Sequence, residues 1–323
     1  MGKKKDNLLP EFPYGVRPIV ILVGNGLNRS FEKAVTTDEI IQKEWLKYYG
    51  TELPDRKTEP IHKIWKLPLP MQVVAATKDH VQTCMKELAA TFKNIEISQE
   101  QKDFIRNILD TGVDAVLTTN YSLEFEKSTI ESFTENKAYR CYKKPKKQNT
   151  HQELFGIHQC TELPYGNLPL LWHIHGTALR KDSLIMGQLY YGQLLSEVTE
   201  RAATVNKKYQ NAIHQKLSYR LESWIDYFLL GDVHIFGFGL DFSESDLWWL
   251  LSYKKSVLPE ARTYFYGSDI TDEQRLMLEC YKVEIPNTPV MEESGTDRYI
   301  NFYKAICEKI KNGNEQINVN LSI

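Results

Sequence analysis

The chain has 323 residues, a quarter of them charged and 42% apolar, with a formal net charge of −2. That length can bury a sizeable core in one large or two ordinary domains, and that charge provides no global field for nucleic acid or an anionic membrane. No apolar run approaches the roughly eighteen residues of a membrane span, and the five scattered cysteines, with no C-x-x-C pair, argue against a disulfide framework or a cysteine-held zinc ribbon.

In chain order, residues 1–10 (MGKKKDNLLP) lack the apolar core of a secretory signal, and Asp6 stands where a myristoylation motif needs Ser or Thr. A cytoplasmic protein is expected, with residues 1–16 as a tail. Strands are expected at 18–23, 115–118, 169–174, 233–236, 263–266 and, weakly, 283–285. Their near-continuous apolarity suits a parallel sheet buried on both faces. Between them, Thr36-x-x-Glu39 reads as a capping box ahead of Ile40, Ile41, Trp45 and Tyr48, with Gly50 as a stop. Ser98-x-x-Gln101 opens a second helix carrying Phe104, Ile105, Ile108 and Leu109, and Ser243 is placed to cap a third. The basic cluster at 143–147 (KKPKK) reads as a solvated loop, and direct nucleic-acid binding is not expected of it. The resulting fold class is α/β: a doubly wound, mainly parallel Rossmann-like sheet over 17–312. Helical insertions are expected around 36–110 and 188–230, with a tail at 313–323.

Four segments carry the chemistry. The first run ends in Gly24-Asn25-Gly26, glycines that suit close approach to a phosphate, with the next helix offering free N–H groups. Arg29 occupies the third glycine position of the dinucleotide fingerprint, which disfavours a hydride-transfer enzyme; a glycine turn without ligand remains open. Thr118-Thr119-Asn120 closes the second run. There Asn120 either caps a helix or uses its amide to hold a ribose hydroxyl and a water, donating to one and accepting from the other. In His173-Ile174-His175-Gly176, a strand would point both histidines to one face; one of them suits a general base and the other a structural role. A metal reading of the same pair needs a third ligand, with His158 or Cys160 nearest in sequence. Finally, Gly237-Phe238-Gly239 ends the fourth run, followed by Asp241 and Ser243.

The order of these segments resembles the sirtuin superfamily. Gly24-Asn25-Gly26 is similar to its G-A-G motif, Thr118-Thr119-Asn120 to its T-x-N motif, His175-Gly176 to its catalytic H-G, and Gly237-Phe238-Gly239 to its second nucleotide loop. The G-N-G-L-N-R and T-T-N-Y forms resemble the bacterial NAD-cleaving branch of anti-phage defence more than the deacylases. Two departures stand out: the deacylases' paired C-x-x-C zinc ligands are missing, and Ser122 stands where the family generally has aspartate. The resemblance implies an NAD glycohydrolase with NAD as substrate and no zinc, in which Asn120 and His175 are catalytic. It implies nucleotide contacts from Gly24, Asn25, Gly26, Ser30, Thr119, Gly237, Phe238, Gly239, Asp241 and Ser243. A homo-oligomer or a separately encoded regulatory protein is the expected partner. The alternatives are a non-catalytic nucleotide-binding assembly subunit, a protein deacylase or an ADP-ribosyltransferase.

Overall fold

Aliphatic and β-branched runs become strands when both faces of the pleat are covered, because alternate side chains then each meet a dry layer. The computed structural model describes residues 11–31, 35–60, 62–129, 139–141, 159–161, 169–267, 270–287 and 296–321. The basic cluster at 143–147 and His158 lie outside them, as do the side chains of Cys141 and Cys160. Short β1 (Glu11–Phe12) pairs antiparallel with β7 (Tyr219–Arg220). The parallel strands are β2 (Ile19–Val23), β3 (Ala115–Thr118), β6 (Leu170–His173), β8 (Asp232–Phe236) and β9 (Thr263–Tyr266), in the order β6-β3-β2-β8-β9. Antiparallel β5 (Gln159–Thr161) and β4 (Tyr139–Cys141) extend the β6 edge. The fold is a doubly wound, Rossmann-like α/β sheet flanked by helices.

Val20 and Leu22 face one core together with Ala115, Leu117, Trp172, Val233 and Ile235. Ile21 and Val23 face the other with Val116, Leu171 and Phe236. The first core is covered by α2 (Thr37–Tyr49), α3 (Leu69–Ala76), α4 (Val81–Asn94), α7 (Gln188–Gln215), α8 (Trp224–Leu230) and α9 (Ser245–Val257). The second is covered by α5 (Gln99–Leu109), α6 (Glu124–Thr129) and α11 (Thr296–Leu321). The chain winds from β2 out to β3 and β6, then returns to β8 on the other side of β2. Its switch point, the usual ligand crevice of such sheets, therefore lies between β2 and β8. Deep in the first layer, the Lys254 ammonium donates to Phe228 O, Gly231 O and Arg262 O, tying α8 to the starts of β8 and β9.

Several expectations change in detail. Residues 283–285 contribute a single bridge, Tyr264 to Glu284, rather than a strand. Within the expected N-terminal tail Phe12 is buried, and α11 runs on into the expected C-terminal tail as far as Leu321. The Thr36–Glu39 capping box forms in full. Ser98 caps α5, but Gln101 does not reach back to it: its Nε2 donates to Asn28 Oδ1, 73 residues away in sequence. A tertiary partner there outbids the local one. Among the described residues, no helix is long and apolar enough to cross a membrane.

Candidate active site

The two glycine loops meet across the switch point. Gly26 N donates to Gly237 O at 2.8 Å, and a Cβ on Gly26 would lie 2.6 Å from that oxygen. A Cβ on Gly24 would lie 2.4 Å from the Phe238 ring, and Gly237 has a φ of +61°. These glycines thus allow loop to pack on loop, while Gly239 has open space around it. The helix after the first loop, α1 (Gly26–Arg29), is a single turn, so the dipole expected to greet a phosphate is small. Ser30 Oγ donates back to Gly26 O, and Asn25 Nδ2 donates to Val35 O. Thr119 N donates to Val23 O. Asp241 is exposed, and its Oδ1 accepts from Ser243 N. Ser243 does not cap α9: Glu244 holds that position, with no side-chain cap bond.

The neighbouring edge is built differently. Thr118 pairs with His173 in the β3–β6 ladder, which sets Asn120 and His175 two residues beyond matched strand ends. Asn120 is buried, and its Nδ2 donates to Glu124 Oε1 at 2.7 Å and to Gly24 O at 3.4 Å. Both partners are acceptors, which fixes the amide orientation. Both amide hydrogens are thereby used, so Asn120 cannot also donate to a ribose hydroxyl as its sequence context suggested. Its Oδ1 is buried without a partner among the described residues, an acceptor left for something else. Asn28 supports the same carboxylate, its Nδ2 shared between Glu124 Oε1 and Ser122 Oγ. Burial raises the pKa of Glu124. Ser122 therefore enters the network as a hydroxyl acceptor, and a carboxylate does reach Asn120, from Glu124.

The two histidines part company because β6 stops at His173 and the chain turns at Gly176, whose φ is +90°. His173 Nδ1 lies 2.7 Å from Asn120 O and its Nε2 3.0 Å from Glu126 Oε1, so both ring nitrogens are occupied. Burial would lower its pKa, but the Glu126 carboxylate, with the Asn120 carbonyl and Glu124, outweighs this and raises it. His175 Nε2 lies 3.1 Å from Asp246 Oδ2 and 3.8 Å from Glu244 Oε2. Its edge meets the Tyr191 ring at 5.5 Å, and the Tyr191 hydroxyl donates to Glu244 Oε2. Burial would lower the His175 pKa too; Asp246 and Glu244 overcome it and raise the pKa. Burial pushes Glu244 up to about 7. With Nε2–H given to Asp246, Nδ1 is the ring nitrogen with no protein partner among the described residues. The pair of histidines thus engages separate carboxylates instead of sharing one ligand.

Sequence reading missed Asn28, Gln101, Glu124, Tyr191, Glu244 and Asp246. Only Glu244 and Asp246 carry a sequence signal: two acids soon after a glycine-ended strand, a few residues beyond Asp241. The other four sit in helices or loops whose local pattern gives no hint of their partners. Compared with protein-family models and with curated proteins, the chain finds no match.

Proposed function

We propose that the chain is an NAD glycohydrolase of sirtuin-like type, cleaving the bond between nicotinamide and ribose. The observation that carries this reading is the pairing of a locked Asn120, whose buried Oδ1 has no partner, with a His175 whose Nε2–H is held by Asp246. Both stand at the carboxyl edge of a doubly wound sheet, where such folds bind nucleotides. In the reaction the C1′–N bond breaks and its electron pair goes to the pyridinium nitrogen, releasing neutral nicotinamide. Asn120 Oδ1 accepts a hydrogen bond from the attacking water and aims its lone pair at C1′. His175 Nδ1 takes the water proton as the new C–O bond forms, so the products are nicotinamide, ADP-ribose and a proton. General-base help of this kind is worth about 10²–10⁴ in rate. In this reading Gly24, Asn25, Gly26, Ser30, Thr119, Gly237, Phe238, Gly239, Asp241 and Ser243 would contact the dinucleotide.

Asn120 and His175 are both buried, and Phe238 packs on Gly24. A dinucleotide therefore needs this crevice to open, which favours a regulated, NAD-depleting effector. Oligomerisation or a separately encoded partner would supply the opening, and anti-phage defence is the setting the resemblance suggests. The test is nicotinamide release from NAD by the full chain, alone and assembled, against Asn120→Ala and His175→Ala. Turnover surviving both substitutions would overturn the site. Calorimetry showing NAD bound without product in any assembled state would favour a nucleotide-binding subunit instead. A mass increment on an acceptor protein would favour transfer.

A further inference from the structure

Two carboxylates facing one imidazole are more than that imidazole needs. A single Nε2–H can satisfy one carboxylate oxygen, and Asp246 Oδ2 already takes it at 3.1 Å. Glu244 Oε2 nevertheless stands 3.8 Å from the same nitrogen, with the Tyr191 hydroxyl as its one donor among the described residues. Asp246 itself is fully buried, and its second oxygen, Oδ1, has no partner among the described residues. Buried carboxylates without enough donors either take up a proton or hold a cation. One potential ligand atom from each of His175, Glu244 and Asp246 lies within 4.8 Å of the other two. Ligand atoms about 2.1 Å from a shared ion sit roughly 3.0–3.4 Å apart, so modest side-chain movement closes the set.

We propose that His175, Glu244 and Asp246 form a binding site for a divalent first-row metal ion of the Mn²⁺ or Zn²⁺ type. One imidazole and two carboxylates are a donor set suited to such ions, whereas Mg²⁺ prefers oxygen and keeps its waters. The three residues come from the turn after β6 and the start of α9, two segments fixed by the sheet, so the set is preorganised. This goes against the expectation of a metal-free chain, which rested on cysteine and on the sequence neighbours of the two histidines.

Occupation has a consequence for the proposed function, and that consequence rests on the NAD reading. A neutral imidazole carries one proton. With Nε2–H bonded to Asp246, the free lone pair is on Nδ1, the nitrogen assigned to the water proton. A cation on Nε2 forces the proton onto Nδ1 and removes that lone pair. The ion is therefore inhibitory, and it holds the enzyme silent.

The test is a titration of chelator-treated full chain with Mn²⁺, reading free ion by its paramagnetic resonance signal. One ion per chain is expected, with Zn²⁺ displacing it. Glu244→Gln and Asp246→Asn are each expected to weaken binding at least tenfold. Circular dichroism and thermal melting of the variants establish that they are folded. Absence of binding up to millimolar Mn²⁺, or unchanged binding in both folded variants, overturns the site. Nicotinamide release is read on the same samples and is expected to fall as Mn²⁺ fills the wild type. A chain that binds Mn²⁺ but, ion-free, releases no nicotinamide in any assembled state would refute the NAD reading while leaving the metal site standing.

Discussion

The two sides of the switch point solve opposite problems. On the glycine side, Gly24, Gly26, Gly237 and Phe238 pack on one another, and Gly26 N donates to Gly237 O. On the Asn120–His175 side, side chains far apart in sequence meet, and Asn120 Oδ1, Glu124 Oε2 and Asp246 Oδ1 are left without partners among the described residues. A buried polar atom without a partner costs about 1–3 kcal/mol, so each of these open acceptors lowers stability. The comparison teaches that the glycine motif, the easier one to see, is explained largely by packing. At the polar edge, residues distant in sequence meet through side chains, and their network leaves acceptors open among the described residues.

Substitutions on each side should therefore fail in different ways. The largest effect expected is on turnover: His175→Ala should lower nicotinamide release by about 10²–10⁴-fold, measured on chelator-treated protein. Asn120→Ala should follow in the same range with NAD affinity largely kept, because the group removed serves the attacking water. If both variants lost stability and kept turnover, the contrast between the two sides would be reversed.

On the glycine side the expected loss is in stability. Gly26→Ala drives a methyl against the Gly237 carbonyl, which cannot swing away as a side chain could, at about 1–3 kcal/mol by thermal or denaturant unfolding. Gly24→Ala should cost less, because the atom it meets belongs to the Phe238 side chain. Equal costs for the two would show that the loops do not pack as described.

A subtler effect concerns pH. The base works only when His175 is neutral, and Asp246 and Glu244 hold its pKa above the ordinary 6.5. Turnover should thus rise with pH through that raised value. Asp246→Asn removes a neighbouring negative charge, so the rising limb should move to lower pH while the plateau falls. A limb that stayed in place would mean that Asp246 does not act through His175. Smallest of all, Gly239→Ala places its methyl in open space and should leave stability within about 0.5 kcal/mol.

Much of the architecture was legible because burial on both faces writes itself into a strand. The run at 115–118 reads as uniformly apolar up to its threonine, and the strand occupies those residues. The short polar strands β4 and β5 were not legible, since they pair at the edge of the sheet and carry no apolar run. The candidate site was legible where a motif sits at a strand end, as with Asn120 and His175. Their supports were not: Glu124 meets Asn28 across 96 residues, and Asp246 meets His175 across 71.

The sequence alone determined the α/β class, the positions of the parallel strands and the two polar residues at their ends. All of these follow from local periodicity and from where apolar runs stop. Only the tertiary structure decided which atoms of those residues are free. Sheet order brought Glu124 to the Asn120 amide and two carboxylates to one nitrogen of His175, and a hydrogen bond made across the fold fixes a donor or a tautomer that no local pattern encodes.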